Sequence, residues 1–472
     1  MLPRLQISLL VLRVGCILLA GRFAAAYDNG APHSRLPPLG WSSWVALGRG
    51  WDTDQPRATE VDFCDEASVR SSIDAFFEVG LYAAGYRHFR LDDCWASKHR
   101  NASGHLQADL GRFPNGLPPL IEYAHQRGLT FGLYTCGGSH TCVGGRAGSK
   151  GHFEEDAEVL AEWGVDAVKM DWCYSQGMDP KETFAVMSHA LNKTGRSMHF
   201  NMCEWGRDDP WQWGPSVAQS WRATGDHHGT WSSTKDIVAA RTRLPEAMGG
   251  SAYAWNDLDL LQTGNYGQAG RPDHVAASMT ETEYKSEFSM WAILGSPLIV
   301  STPLLNCSST DQIHGNFTPT RCRPSLTELQ REILLNTEVL AISQESTLAG
   351  FRVSDPDPKE PSVSVYARNL TGGDVAVALL NAEDAELSGA VDFADLGLPK
   401  NVDMHVRDLW MHTDLGAFQD HFAPSRPLQA HETLLLRLMP QRTRSSQQAS
   451  KAAGLDQPLQ QAELASVALR LV

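Results

Sequence analysis

From Leu36 to about Thr302 the chain alternates short apolar runs with amphipathic stretches, the pattern that strands and helices leave in a parallel α/β fold. The runs that predict strands are Pro38–Trp44, Tyr86–Asp93, Leu129–Cys136, Ala167–Cys173, His199–Trp205, Ser220–Asp226, Ala252–Asp259 and Ser296–Thr302. Between them apolar side chains recur at helical spacing, as in Val69, Ile73, Phe76 and Phe77, or Tyr284, Phe288, Trp291 and Ala292. Gly80, Gly128, Gly164 and Gly195 stand where a helix ends on a left-handed residue. Such β/α units repeated over about 270 residues predict an α/β fold, a (β/α)8 TIM barrel.

After a last helix near Leu326–Leu335 the period shortens to strict alternation. Ser362–Ala367, Asp374–Leu380, Val402–Asp408 and Glu432–Leu438, separated by Gly and Asp turns, predict a C-terminal antiparallel β domain. The expected division is a barrel over 27–335, a β domain over 336–440 and a flexible tail over 441–472, which is rich in Gln, Ser and Ala and lacks aromatics.

The first residues have a basic start, an apolar run from Ile7 to Ala20 and the small residues Ala24, Ala25 and Ala26, so residues 1–26 are expected to be a secretory signal peptide. Arg13 interrupts the run, and the run is shorter than the ~20 apolar residues of a membrane-spanning helix. Cleavage removes Cys16 and leaves eight of the nine cysteines, an even number in a compartment that forms disulfides. Asn101, Asn192, Asn306, Asn316 and Asn369 open N-x-[ST] sequons, in keeping with a secreted or a lysosomal or vacuolar glycoprotein. A net charge of −15 repels phosphate backbones and anionic lipid, so neither nucleic acid nor a membrane is expected as a partner.

Several predicted strands end alike, on carboxylates and tryptophans: LDDCW (Asp92, Asp93, Trp95), KMDWC (Lys169, Asp171, Trp172), CEW (Glu204, Trp205), WRATGD (Trp221, Arg222, Asp226) and WNDLD (Trp255, Asn256, Asp257, Asp259). Unpaired carboxylates do not sit in a dry barrel interior. At the C-terminal strand ends they converge on the mouth, where barrel enzymes keep their active sites. One such Asp alone is more often a helix cap. Carboxylates for hydroxyls together with indole faces for the apolar side of a ring make a sugar site. Two carboxyl groups then divide glycoside hydrolysis between attack and protonation. By strand alternation Lys169 points to the same side as Asp171 and is expected to hold it ionised, and Arg222 to do likewise for Asp226.

The motifs PPLGWSSW, LDDCW, RFPNGL, FGLYTC, GVDAVKMDWC, NMCEWG, SWRATGD, WNDLDLL, WAILGSPLIVS and RDLW, in this order, resemble glycoside hydrolase family 27, the α-galactosidases and their relatives. The resemblance implies a barrel followed by a β-sandwich and a retaining, two-step hydrolysis of terminal α-D-galactosyl residues. It implies Asp171 as nucleophile and Asp226 as general acid/base, Asp92 and Asp93 on the outer hydroxyls of galactose, and Trp44, Tyr134, Lys169, Glu204 and Arg222 around the same pocket. It also implies the disulfides Cys142–Cys173 and Cys64–Cys94. Within the family, a carboxylate such as Glu204 implies a free 2-hydroxyl rather than an N-acetyl group, and Asp92 implies a site that holds O6 rather than one for β-L-arabinopyranose. An α-galactoside is thus the expected ligand, with β-L-arabinopyranosidase, α-N-acetylgalactosaminidase and a galactose-binding protein without turnover as the alternatives. No metal and no cofactor are expected, since PLGWSSW lacks the His-x-His that metal-dependent barrel hydrolases take from the first strand.

Some residues depart from the family pattern. Leu258 and Leu260 stand for Pro and Met, Cys136 for an acidic residue, and His227 and His228 follow Asp226, where they are expected to shape the pocket rim. Val45–Asp62 reads as an insertion near the mouth. Cys307 and Cys322 can close a local loop, while Cys136 and Cys203 either pair across strand tops or stay free.

Overall fold

The structure is a computed structural model that describes residues 27–47, 64–143, 145–264, 279–307, 322–353, 361–398 and 400–441. The expected signal peptide, most of the stretch 45–62, Asn316 and the tail beyond Gln441 lie outside the described residues.

Eight parallel strands form the barrel: β1 (Leu39–Ser42), β2 (His88–Leu91), β3 (Thr130–Cys136), β4 (Ala167–Asp171), β5 (His199–Met202), β6 (Ser220–Arg222), β7 (Ala254–Asp257) and β8 (Leu298–Val300). Each pairs with the next from β1 to β7, and β8 returns to β1, with Leu39 opposite Leu298 and Trp41 opposite Val300. A parallel bridge between Leu261 and Val300 joins the continuation of β7 to β8 and closes the ring. Every strand lies inside its predicted run, and all but β3 stop short of that run's end. The residues left over, Asp92, Asp93, Cys173, Glu204, Asp226 and Asp259, sit just beyond the ladders, where the chain turns out of the barrel and a carboxylate can meet donors or water.

Close packing fixes this register. Gly40 in β1 has no room for a side chain, since a Cβ there would lie 2.5 Å from the His88 carbonyl. Trp41, fully buried, stacks on Phe89 with centroids 4.7 Å apart and donates its indole N–H to the Thr302 carbonyl at 2.8 Å. The helices outside the strands start on side-chain caps. Asp65 accepts from Ser68 N–H at the start of Glu66–Glu78, Asp179 precedes Pro180–Lys193, and Thr280 with Glu283 forms a capping box before Glu281–Ile293. Gly80, Gly128, Gly164 and Gly195 all have positive φ, as their place in the sequence predicts.

Two short helices, Glu328–Leu334 and Thr337–Ser343, follow the barrel, the first behind a Thr327–Gln330 capping box. The remaining sheet contains β9 (Phe351–Arg352), β10 (Ser364–Asn369), β11 (Val375–Leu380), β12 (Met404–Asp408), β13 (Thr413–Phe418) and β14 (Thr433–Pro440), all antiparallel, in the order β9-β10-β11-β14-β12-β13. One face packs Val365, Val377, Val406 and Leu436 against Phe393 and Phe422 of the second layer, which makes the sandwich. The other face places Tyr366, Ala376, Ala378, Leu380 and Leu435 in the same apolar core as Phe288, Trp291 and Ala292 of the helix Glu281–Ile293. Arg368 passes from this sheet into the barrel side and donates to the carbonyls of Ile342 at 2.9 Å, Glu345 at 2.9 Å and Ala292 at 3.1 Å.

The disulfides Cys64–Cys94 and Cys142–Cys173 are formed, and Cys136 and Cys203 are free and buried. The backbones of Cys307 and Cys322 lie opposite each other in a two-stranded antiparallel ribbon. No helix among the described residues is long and apolar enough to cross a membrane.

Candidate active site

The C-terminal ends of β2, β4, β5 and β6 bring carboxylates and cations together in one buried layer at the barrel mouth. Lys169 sits in the middle of β4, and its Nζ lies 3.1 Å from Asp92 Oδ2; Arg90 Nε, two residues before Asp92 on β2, lies 3.5 Å from the same oxygen. Burial raises the Asp92 carboxyl, but Lys169 and Arg90 outweigh it and hold the group below the usual carboxylate range. Asp92 Oδ1 accepts from the Asp93 N–H at 2.9 Å. Asp93 itself accepts from the Val143 N–H at 3.0 Å and faces Arg146 at 3.9 Å. Burial nevertheless pushes its carboxyl up to about 6.

The expectation that Lys169 pairs with Asp171 therefore needs correction. Alternation does put both on the inner side of β4, but the ammonium reaches across to β2. Asp171 is held instead by Tyr134, whose hydroxyl donates to Oδ2 at 3.1 Å, and by the Trp172 N–H at 3.0 Å on Oδ1. Burial raises the Asp171 carboxyl, Lys169 opposes this from a distance, and Asp226 adds to it. Tyr134 is pushed well above its ordinary value by burial and by Asp171, so it stays a donor. Its hydroxyl also accepts from the Cys142 N–H at 3.4 Å, which ties the Cys142–Cys173 disulfide to the same cluster.

Arg222, from the end of β6, supports the far side. Its guanidinium meets Asp226 Oδ1 at 3.1 Å and Asp259 Oδ1 at 3.1 Å, and donates to the Gly225 carbonyl at 2.6 Å. The Arg222 side chain is 3% exposed whereas that of Asp226 is 59% exposed, so the pair has one buried and one open end. The Cys203 sulfur lies beside this guanidinium, 3.6 Å from Arg222 Nη1.

Glu204 follows β5. Oε2 accepts from the Arg207 N–H at 2.8 Å and the Asp208 N–H at 3.1 Å, but Oε1 is buried with no hydrogen-bond partner. Burial pushes the carboxyl up to about 7. A buried, unpaired acceptor beside a polar cluster is the mark of a ligand position. The turn behind it is tight: a Cβ on Gly206, at φ +72°, would lie 2.4 Å from the Ala223 carbonyl. Trp205 (φ +60°), Tyr174 (+52°), Val45 (+68°) and Asp259 (+79°) also have left-handed backbone just past strand ends. Strain of this kind collects at functional sites.

The tryptophans serve the fold more than the pocket. Trp95, Trp221 and Trp255 are fully buried and donate to the Tyr134 carbonyl, Asn256 Oδ1 and the Ser34 carbonyl. Trp172 packs on Phe184 at 5.2 Å. Trp44 and Trp205 stay half-buried. His227 does not reach the rim, as the sequence led us to expect; it is buried and turned inward onto Glu287. Arg90 and Cys203 are the members that sequence reasoning left out of the site, and Asp259 was placed at the mouth without a role. Arg90 had a signal, because it lies two residues before Asp92 on one strand face. Among the described residues, Cys142, Asp171 and Cys173 bring ligand-type atoms within 4.8 Å of one another, but the two sulfurs are bonded to each other and supply no thiolate for a metal.

Comparison with known proteins places the chain among relatives of both its domains. Residues 36–314 match the family model described as alpha galactosidase A, and residues 360–438 match that of the alpha galactosidase C-terminal beta sandwich domain. The chain is 34% identical over 389 residues to an alpha-galactosidase of Cyamopsis tetragonoloba, covering 82% of each chain. It is 34% identical over 406 residues to one of Coffea arabica, covering 86% of this chain and 94% of that one. Among solved structures, alpha-galactosidase I from Mortierella vinacea superposes with a TM-score of 0.71 at 29% identity, over 88% of this chain and 98% of that one.

Proposed function

The chain belongs to the α-galactosidase family and is a glycoside hydrolase for terminal α-galactosyl residues, and on that premise we propose that Asp171 and Asp226 perform the hydrolysis by double displacement. The observation that carries the assignment is the contrast between the two carboxyl groups. Asp171 lies buried under donors from Tyr134 and Trp172, while Asp226 stands 59% exposed on Arg222. A fixed, buried carboxylate suits attack on the anomeric carbon, and an open one suits the side from which the leaving group and then water exchange.

In the first step Asp171 Oδ attacks the anomeric carbon and Asp226 gives a proton to the departing oxygen. In the second step Asp226 takes a proton from water, and that water displaces Asp171 with net retention. Asp92 and Asp93 accept the outer hydroxyls of the sugar, and Lys169, held by Asp92, donates beside them. Glu204 Oε1, buried and without a partner, accepts the 2-hydroxyl, which supports galactose over an N-acetylated sugar. Tyr134 and Trp44 complete the wall. The substrate is an oligosaccharide or glycoconjugate that ends in α-galactose. The two disulfides, together with sequons at the exposed Asn101 and Asn369, support passage through the secretory route to the outside or to a lysosome or vacuole.

Hydrolysis of p-nitrophenyl α-D-galactopyranoside against the β-L-arabinopyranoside, with wild type and Asp171→Ala, tests the reading. A galactoside preference that Asp171→Ala abolishes is expected. An arabinoside preference would overturn the substrate, and full activity in Asp171→Ala would overturn the nucleophile.

A further inference from the structure

We propose that His227, bound to Glu287, is a positioning residue for the general acid/base Asp226, setting the carboxyl group at the leaving oxygen from beneath. The inference rests on the reading of Asp226 given above and assigns the side chains that place it.

Asp226 is largely solvent-exposed, and its next neighbour in the chain is anchored on three sides. His227 Nε2 lies 2.7 Å from Glu287 Oε1, and both side chains are wholly buried. Its Nδ1 lies 2.9 Å from Ser233 Oγ, and the backbone N–H of His227 donates to Asp259 Oδ2 at 2.9 Å. An ionised Glu287 has only acceptors, so Nε2 carries the hydrogen of that bond. Ser233 Oγ in turn accepts from the His228 N–H at 2.9 Å, and the His227 ring lies 5.1 Å from that of Trp291. The residue after the exposed carboxyl thus has no room to shift.

The far end of the contact is equally committed. Glu287 sits on the helix Glu281–Ile293, and its Oε1 also accepts from the Gln262 N–H at 2.9 Å, while its Oε2 is buried without a partner. Such a carboxylate is a costly core residue, and an apolar side chain of similar volume would stabilise the helix packing as well or better. What the pair supplies is a fixed point shared by two mouth loops, one carrying Asp226 and the other following β7. Asp259 completes the frame, because one oxygen holds the His227 backbone and the other holds Arg222, which holds Asp226. Proton transfer requires a donor within about 3 Å of the leaving oxygen, so a loosened loop costs acid catalysis before it costs binding.

The test compares His227→Ala, His227→Gln and Ser233→Ala in the full chain, with Asp226→Ala as reference, on two substrates. One is an α-galactosyl disaccharide, whose leaving alcohol needs a proton; the other is 2,4-dinitrophenyl α-D-galactopyranoside, whose phenolate leaves without one. His227→Ala is expected to lower kcat/KM, which reports the first displacement alone, about 10- to 100-fold on the disaccharide and less than about 3-fold on the aryl galactoside. His227→Gln, which keeps a donor toward Glu287, should recover most of the loss. Ser233→Ala, a milder change that keeps the protein folded if His227→Ala does not, should show the same selectivity at about 3- to 10-fold. Equal losses on both substrates, or no loss in either variant, would overturn the positioning role. If Asp226→Ala itself lowered kcat/KM equally on both substrates, the acid/base assignment would fail and the proposal with it.

Discussion

Lys169 gives its ammonium across β3 to Asp92, just past the end of β2, at 3.1 Å, and leaves Asp171, two residues along its own strand, to Tyr134. Two carboxyl groups are thereby ordered by one cation: Asp92 is neutralised directly, and Asp171 is influenced only through space.

Lys169→Met should expose that order in two measurements. Leaving Asp92 buried without its principal partner is expected to lower unfolding free energy by about 3 to 5 kcal/mol, and Asp92→Asn in the same chain should restore part of it. Lys169 also draws the Asp171 carboxyl down, so its removal must raise that group further. The acid limb of kcat/KM, where the nucleophile becomes protonated, then moves to higher pH in Lys169→Met. A limb that stayed in place would separate Lys169 from Asp171 altogether.

Glu204 gives a stability prediction with a definite sign. Its carboxyl ionises near 4.5 when unfolded and at about 7 in the folded pocket. The folded state therefore keeps the proton more tightly, and this contribution, complete below pH 4.5, is lost as pH rises to 7. Glu204→Gln cannot lose it. Melting temperature in the mutant should fall less between pH 4.5 and 7.5 than in wild type, a difference that scanning calorimetry reads directly.

The Cys142–Cys173 disulfide closes a loop that starts at the Tyr134 hydroxyl and ends two residues past Asp171. Cys142→Ser with Cys173→Ser is expected to cost about 2 to 4 kcal/mol of stability. The activity loss should exceed what the unfolded fraction explains, because the Cys142 N–H also steadies Tyr134. Activity measured well below the melting temperature, set against that of a Cys64→Ser, Cys94→Ser protein, makes the comparison.

Arg368 carries the junction between barrel and sandwich. Arg368→Met leaves several buried carbonyls, among them those of Ala292, Ile342 and Glu345, without their donor. We expect a loss of about 3 kcal/mol or more, seen as a lower urea midpoint with KM for galactoside unchanged in the protein that remains folded.

The barrel was legible because its strands are short apolar runs whose period differs from that of the helices between them, and their C-terminal ends are marked by carboxylates that cannot be buried unpaired. Asp92, Asp93, Lys169, Asp171, Arg222 and Asp226 were found by that rule. Partner choice was not legible. Alternation gives the side to which Lys169 points but not the distance across to β2, which depends on barrel curvature and on Arg90. Tryptophan misled for a related reason: Trp95, Trp221 and Trp255 stand beside carboxylates in sequence yet face the other way, where their indole N–H groups find backbone or amide acceptors. His227 was read as rim because it follows Asp226 in the chain, and only the fold brings Glu287, 60 positions away, beneath it.

The helix Glu281–Ile293 presents Glu287 toward the mouth loops and Phe288, Ala292 and their neighbours toward the sandwich. It is a single rigid body with one end of its contacts in catalysis and the other in the second domain. A barrel freed of its sandwich would therefore keep its ring of strands but lose the wall that holds this helix in register. Any graft, truncation or domain exchange in this chain should be drawn so that the helix and the sheet behind it travel together.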